Sequence, residues 1–178
     1  AGNSKTQSGY SVVVDNTVPA GTDIQTTNGA TTNGLAEAGD KVSFSFSKAI
    51  DSNSILSGWS GSATNVVVRL NNGTGSNNDT VTVYNATNAT QLPLGSVNLG
   101  RTDYTGANIT FGATGTASSM AMSGNTITVT LGTQSAAATA AAATGTMIWT
   151  PSASATDPAG NATATTAVTE TGTADKDF

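Results

Sequence analysis

Serine, lysine, aspartate and asparagine are the residues through which this chain could do chemistry, because it contains no histidine and no cysteine. Ser–His–Asp and Cys–His arrangements are excluded on that ground, as are histidine-bearing zinc sites. A Ser–Lys pair stays formally open, since Lys41 and Lys48 flank the run Ser43 to Ser47. The plainer reading of both lysines is a solvated strand end. The 11 acidic residues are scattered and sit mostly among turn residues, so no carboxylate pair for glycoside hydrolysis stands out. Asp157-Pro158-Ala159-Gly160-Asn161 and Ile50-Asp51-Ser52-Asn53 could instead offer oxygens to calcium, but that ion takes roughly 6–8 of them. A fixed φ at Pro158, a permissive Gly160 and Asx side chains that cap their own backbone favour turn chemistry. The expectation is a protein that is not an enzyme and that holds no metal and no cofactor.

Binding chemistry is better represented. Trp59, between Gly58 and Gly61, has the setting of a sugar-stacking ring, although an aromatic in such a motif more often plugs a core. Trp149 alternates with Met147 and reads as core. Candidate glycan acceptors of the N-x-S/T type occur at Asn72, Asn78, Asn85, Asn88, Asn108 and Asn161. Sixteen asparagines in a chain so rich in Ser and Thr would give roughly five such triplets by chance, so the excess is negligible.

The elements that must position these residues are short and β-like. "KVSFSFS" alternates Val42, Phe44 and Phe46 against serines, the period of a half-buried strand. "ATNVVVRL" and "DTVTVYNA" flank "NNGTGSNN", a hairpin loop. "GSVNLG", "NITFGA", "NTITVTL" and "GTMIWT" follow, each bounded by Gly or Asn, and "NATATTAVTET" is a weaker final strand. The alanine-rich run 135–144 has helix propensity but no apolar stripe, which points to a loop or one short turn. This spacing predicts an all-β, antiparallel sandwich.

Composition limits the setting. Charged residues make up 10% of the 178, against roughly 25% in ordinary soluble domains, so Ser, Thr, Asn and Gly must supply the polar surface. That balance suits an extracellular or cell-surface protein. A net charge of −5 and a pI near 4.2 argue against nucleic acid and anionic membrane as partners. No apolar run approaches the roughly 20 residues of a membrane span. The start at Ala1-Gly2 suggests export with a cleaved signal peptide.

Three stretches together carry a resemblance. "AGDKVSFSFSKAIDSNSILSGWSGSAT" resembles the early strands of bacterial Ig-like domains of secreted and cell-surface proteins. "WTPSASATDPAGNATATTAV" resembles their closing hairpin with its D-x-x-G-N turn, and "VVVDNTVPAGTDIQTTNG" the junction between copies in tandem arrays. The resemblance covers most of Val12 to Glu170 and implies an Ig-like sandwich over residues 18–172, an N-terminal strand and hinge over 1–17, and a C-terminal tail over 173–178. Some such modules carry a Lys–Asn isopeptide bond. Here Lys41 is the lysine that reading would use, beside Asp40 or Glu37, with no partner to name.

"GYSVVVD", in which Tyr10, Val12 and Val14 alternate with Ser11, Val13 and Asp15, is then one strand more than one domain needs. It could pair along an edge of its own sandwich, hang loose, or add to a neighbouring copy as a donor strand. The expected function is a secreted structural subunit that assembles head-to-tail with copies of itself through Tyr10, Val12, Val13 and Val14. The alternatives are a monomeric adhesive or carbohydrate-binding module, meeting glycans or a host surface through Trp59 and the Asn72–Asn78 loop, or a spacer from a longer tandem-repeat protein.

Overall fold

A computed structural model describes residues 14–178. Tyr10, Val12 and Val13 lie outside the described residues, and of the expected donor strand only Val14 is placed, as exposed chain.

The described residues form an all-β, antiparallel structure whose ten strands make one nearly closed, sandwich-like sheet. The order begins with β1 (Gly21–Thr27), β2 (Lys41–Phe46), β8 (Thr126–Thr130) and β7 (Ser118–Ser123). It continues through β3 (Thr64–Asn71), β4 (Thr80–Asn85), β5 (Ser96–Asn98), β9 (Ile148–Thr150) and β10 (Val168–Thr169). One edge of β3 is shared. Its first half pairs with β7 and its second half with β6 (Ile109–Phe111). Between β2 and β3 lies α1 (Ser52–Ile55), a single helical turn that Asp51 caps by accepting from the Asn53 N–H at 3.0 Å.

Alternation decides which side chains meet. On β2 Val42, Phe44 and Phe46 point inward, facing Ile127 and Val129 of β8, while Ser43 and Ser45 face outward and meet Thr128 and Thr126 hydroxyls. On β3 Val66, Val68 and Leu70 point inward, joined by Val81 and Val83 of β4. Trp149 of β9 fills the centre, fully buried, with Phe44 and Phe46 edge-on at 5.3 and 5.0 Å. Its indole N–H donates to the Leu94 carbonyl at 2.6 Å. β1 passes so close to this ring that Gly21 is required there. A Cβ at that position would lie 2.7 Å from the Trp149 ring.

Two strands are absent from the sequence reading. The residues of β1 look like linker, and "SSMAMS" of β7 carries too little β-branched character to be noticed. The alanine-rich run forms no helix. It is held as an irregular loop by Thr139 N–H to the Tyr104 carbonyl and Ala141 N–H to the Gly34 carbonyl, both 2.8 Å, with Ala141 buried. The final strand shrinks to two residues. Beyond it the segment 173–178 folds back onto the sheet, burying Asp177 and Phe178, with the Phe178 ring edge-on to Tyr104 at 5.9 Å.

Candidate functional site

β2 ends at Phe46, and the next turn aims Lys48 across the end of the sheet toward the closing D-x-x-G-N turn. The Lys48 ammonium lies 2.7 Å from Asp157 Oδ2 and 2.5 Å from Asp15 Oδ2, and it donates to the Thr17 carbonyl at 2.9 Å. All three of its protons are thereby engaged. Asp157 has no exposed side-chain surface. Its Oδ1 accepts from the N–H groups of Ala159 and Asn161 at 2.9 and 2.8 Å, which shapes the turn. Its Oδ2 accepts from Asn161 Nδ2 at 2.9 Å as well as from Lys48. Asn161 Nδ2 also donates to the Asp15 carbonyl at 2.9 Å. Asp15 closes the circuit by accepting the Thr17 N–H at 3.0 Å.

The electrostatics follow from this geometry. The hydrogen bond from Lys48, followed by those from Asn161, holds the Asp157 carboxyl far below the usual carboxylate range. Lys48 also lowers Asp15, with the Thr17 N–H helping. Lys48 itself is raised by its bonds to Asp15 and then Asp157. A lysine held so firmly as ammonium has no free electron pair, so the cluster is an ionic clamp rather than a nucleophile. It ties residues 15–17, which lead into β1, to the turn that leads into the last strand.

Two other buried aspartates shape loops in the same manner. Asp40 accepts from the N–H groups of Gly29, Ala30 and Glu37 at 2.9, 3.1 and 2.7 Å. Asp79 accepts from those of Gly73, Tyr104 and Thr105 at 2.9, 2.9 and 3.1 Å. Neither carboxylate is exposed. In a chain without disulfides, these three side chains fix the long connections.

The residues singled out by sequence are dispersed. Lys41 is exposed at the start of β2, Ser43 and Ser45 bond to threonines, and Ser47 Oγ accepts from the Ala20 N–H, so neither lysine bonds to a serine hydroxyl among the described residues. Trp59 is 7% exposed and its indole N–H donates to the Ser62 carbonyl at 2.5 Å. Trp59 thus lies in the core, the placement such a motif more often gives, rather than on the surface as a stacking platform would. Of the six candidate glycan acceptors, Asn108 is exposed and the others are half-buried. Asn72, Asn78 and Asn161 spend their amide N–H groups on Gly106 O, Asn98 Oδ1 and the clamp. Asn85 Oδ1 caps its own turn, and Asn88, in left-handed backbone at φ 58°, accepts from the Arg69 guanidinium that stacks on Tyr84. Among the described residues no group of three acids is arranged to hold a metal ion, and no ligand-sized cavity opens.

Sequence reasoning overlooked Lys48 as an organiser and Asp15 as more than hinge. The available signal was the pairing of "FSK" at one strand end with D-x-x-G-N in the closing hairpin. No family model matches this chain, and neither a curated protein nor a solved structure does.

Proposed function

We propose that this chain is a non-enzymatic structural module of a secreted, cell-surface protein, and that copies join head-to-tail through the segment preceding Asp15. The observation that carries the reading is the polarity of the fold. The clamp holds Asp15 to Thr17 at the end of the sheet where β1 begins, while Phe178 packs beside Thr26, where β1 ends. These two points are separated by the length of β1, about 23 Å at roughly 3.3 Å per residue. Contacts at both poles, the clamp at one and Phe178 at the other, suit modules strung in a line, whether joined covalently or by strand addition.

Other features support an Ig-like module. The order β1-β2-β8-β7 matches the A-B-E-D sheet of that fold, and β1 meets the final segment in parallel at Ala20 and Ala164. The opposite wall departs from it, because β3 pairs with β4 rather than directly with β9. Hydroxyl and amide side chains cover the outer faces, which suits an exterior where low charge is tolerated.

Electron microscopy of the full chain beside a variant lacking residues 1–13 tests the reading. Filaments from the full chain alone are expected. Monodisperse particles from both would overturn strand addition and favour the second reading, a spacer within a longer covalent array, for which the same clamp would fix the angle between neighbours.

A further inference from the structure

The sheet fails to close along one line. β1 runs beside the chain 164–178, and the two are joined by main-chain bonds only at the upper end, where the Ala164 N–H donates to the Pro19 carbonyl at 2.8 Å. Below that point side chains alone cross among the described residues. Asp23 Oδ1 accepts from the Thr171 N–H at 2.9 Å, and Gln25 Nε2 donates to the Thr171 carbonyl at 2.8 Å. Thr26 Oγ1 accepts from the Phe178 N–H at 3.2 Å. The edge of β1 that faces away from β2 therefore meets no ladder partner, an arrangement proteins ordinarily avoid.

The segment 171–178 occupies that edge without a ladder to β1, held instead by Gly34 and Gly145 N–H groups that donate to the Phe178 and Asp175 carbonyls at 2.8 Å. Phe178 is its one core anchor, at 3% exposure. Beside it Asp177 puts a carboxyl into the interior at 2% exposure, facing the Tyr104 hydroxyl at 3.1 Å and Thr26 Oγ1 at 3.5 Å. Desolvating a carboxyl there opposes docking. Both residues also adopt left-handed backbone, at φ 30° and 77°, which side chains disfavour.

We propose that the free edge of β1 is the seat for the N-terminal segment of a second copy, and that residues 171–178 are the cis occupant it displaces. This rests on the head-to-tail reading and names its acceptor. In sequence Tyr10, Val12 and Val14 are apolar at period 2, three side chains that a paired strand would lay on one face, where the resident segment inserts a single ring. Val14 is 68% exposed just before the clamp, so the segment leaves one copy at the pole opposite the Phe178 end of the next. Six residues, 9–14, would span roughly 20 Å if extended, close to the length of β1. The Asp177 carboxyl is pushed up to about 7, by burial first and then by Glu170, with Asp175 adding to the repulsion. Its ionisation loosens the cis occupant as pH rises.

A photoreactive benzophenone side chain at position 25, in mixed light and isotopically heavy chains, tests the seat without assuming a register. The expected result is cross-linking to residues 9–14 of a different copy, with filaments present. Phe178→Ala should also hasten assembly roughly tenfold, by raising the fraction of copies with an open seat. Filaments whose cross-links reach only residues 171–178 would overturn the seat and leave head-to-tail assembly standing. Cross-links to residues 9–14 of the same chain would show cis closure and overturn exchange. Absence of filaments from the unmodified chain would overturn both. If Phe178→Ala fails to fold, the cross-linking pattern in the otherwise intact chain decides.

Discussion

Single carboxylates hold much of this molecule together, and each does so by accepting from backbone N–H groups. Removing Asp79 leaves three N–H donors without their acceptor, those of Gly73, Tyr104 and Thr105. Asp79→Ala should cost about 3 kcal/mol or more, since each unpaired buried group costs about 1–3 kcal/mol. Asp79→Asn keeps an acceptor and should cost less, and urea denaturation of both variants checks the order. Lys48 makes a different prediction. Because it is held as ammonium between Asp15 and Asp157, the intact protein should show no mass loss of water or ammonia on denaturing mass spectrometry. Loss of either would mean that an amide bond has formed at the clamp. The turn role of Asp157 was legible, because D-x-x-G-N carries its own backbone instructions. Asp40 and Asp79 were not, since their partners belong to loops that nothing local identifies.

At the level of elements, close approach and burial decide what pattern alone could not. β1 looks like linker because Gly21 and Asp23 are weak strand formers and Pro19 stands just before them, yet it pairs with β2 along its length, with a register shift near its start. Gly21 permits this by leaving room for Trp149. Gly21→Ala should cost roughly 1–3 kcal/mol from overpacking, because the fixed indole and Pro151 cannot yield. Thermal unfolding checks this, and an unchanged melting temperature would refute the close approach. The segment 171–178 answers to pH. Asp177 binds its proton more tightly when buried, at about 7, than in an unfolded chain near 3.9. The folded segment therefore holds more protons in that window, and its docking weakens as pH rises from about 4 to about 7. Protection of the Phe178 N–H, which Thr26 holds, against hydrogen exchange should fall over that range once the intrinsic pH dependence of exchange is divided out. Asp177→Asn, which cannot ionise, should keep that protection constant. Asp157 has the opposite sign. Its lowered value makes its contribution full above about 4 and lost as pH falls further, so loosening at residues 15–17 belongs to the acid side.

At the scale of the whole molecule, polarity is the property that matters. The clamp and Phe178 lie at opposite ends of β1, so copies joined end to end would advance by one module length. A compact domain of the size of residues 14–178 is roughly 40 Å across. Filaments built this way should show an axial repeat of that order by electron microscopy. A repeat near half that length would require side-by-side packing instead.

Short β-like runs between turn residues were sufficient to determine an all-β antiparallel class and to identify β2, β3, β4 and β8, with alternation plainest in β2, where side chains sort between core and solvent. The absence of histidine and cysteine likewise settled which chemistries are closed to the chain. Which strands become neighbours, and where the sheet stops short of closing, were decided only in three dimensions. The clamp joins Asp15 to Asn161 across 146 residues, and the Asp23 contact with Thr171 spans 148. A carboxylate or an amide carries no local mark of a partner that distant. Folding brings such partners together because β1, through Ile24, and the final segment, through Val168 and Phe178, pack on the same core.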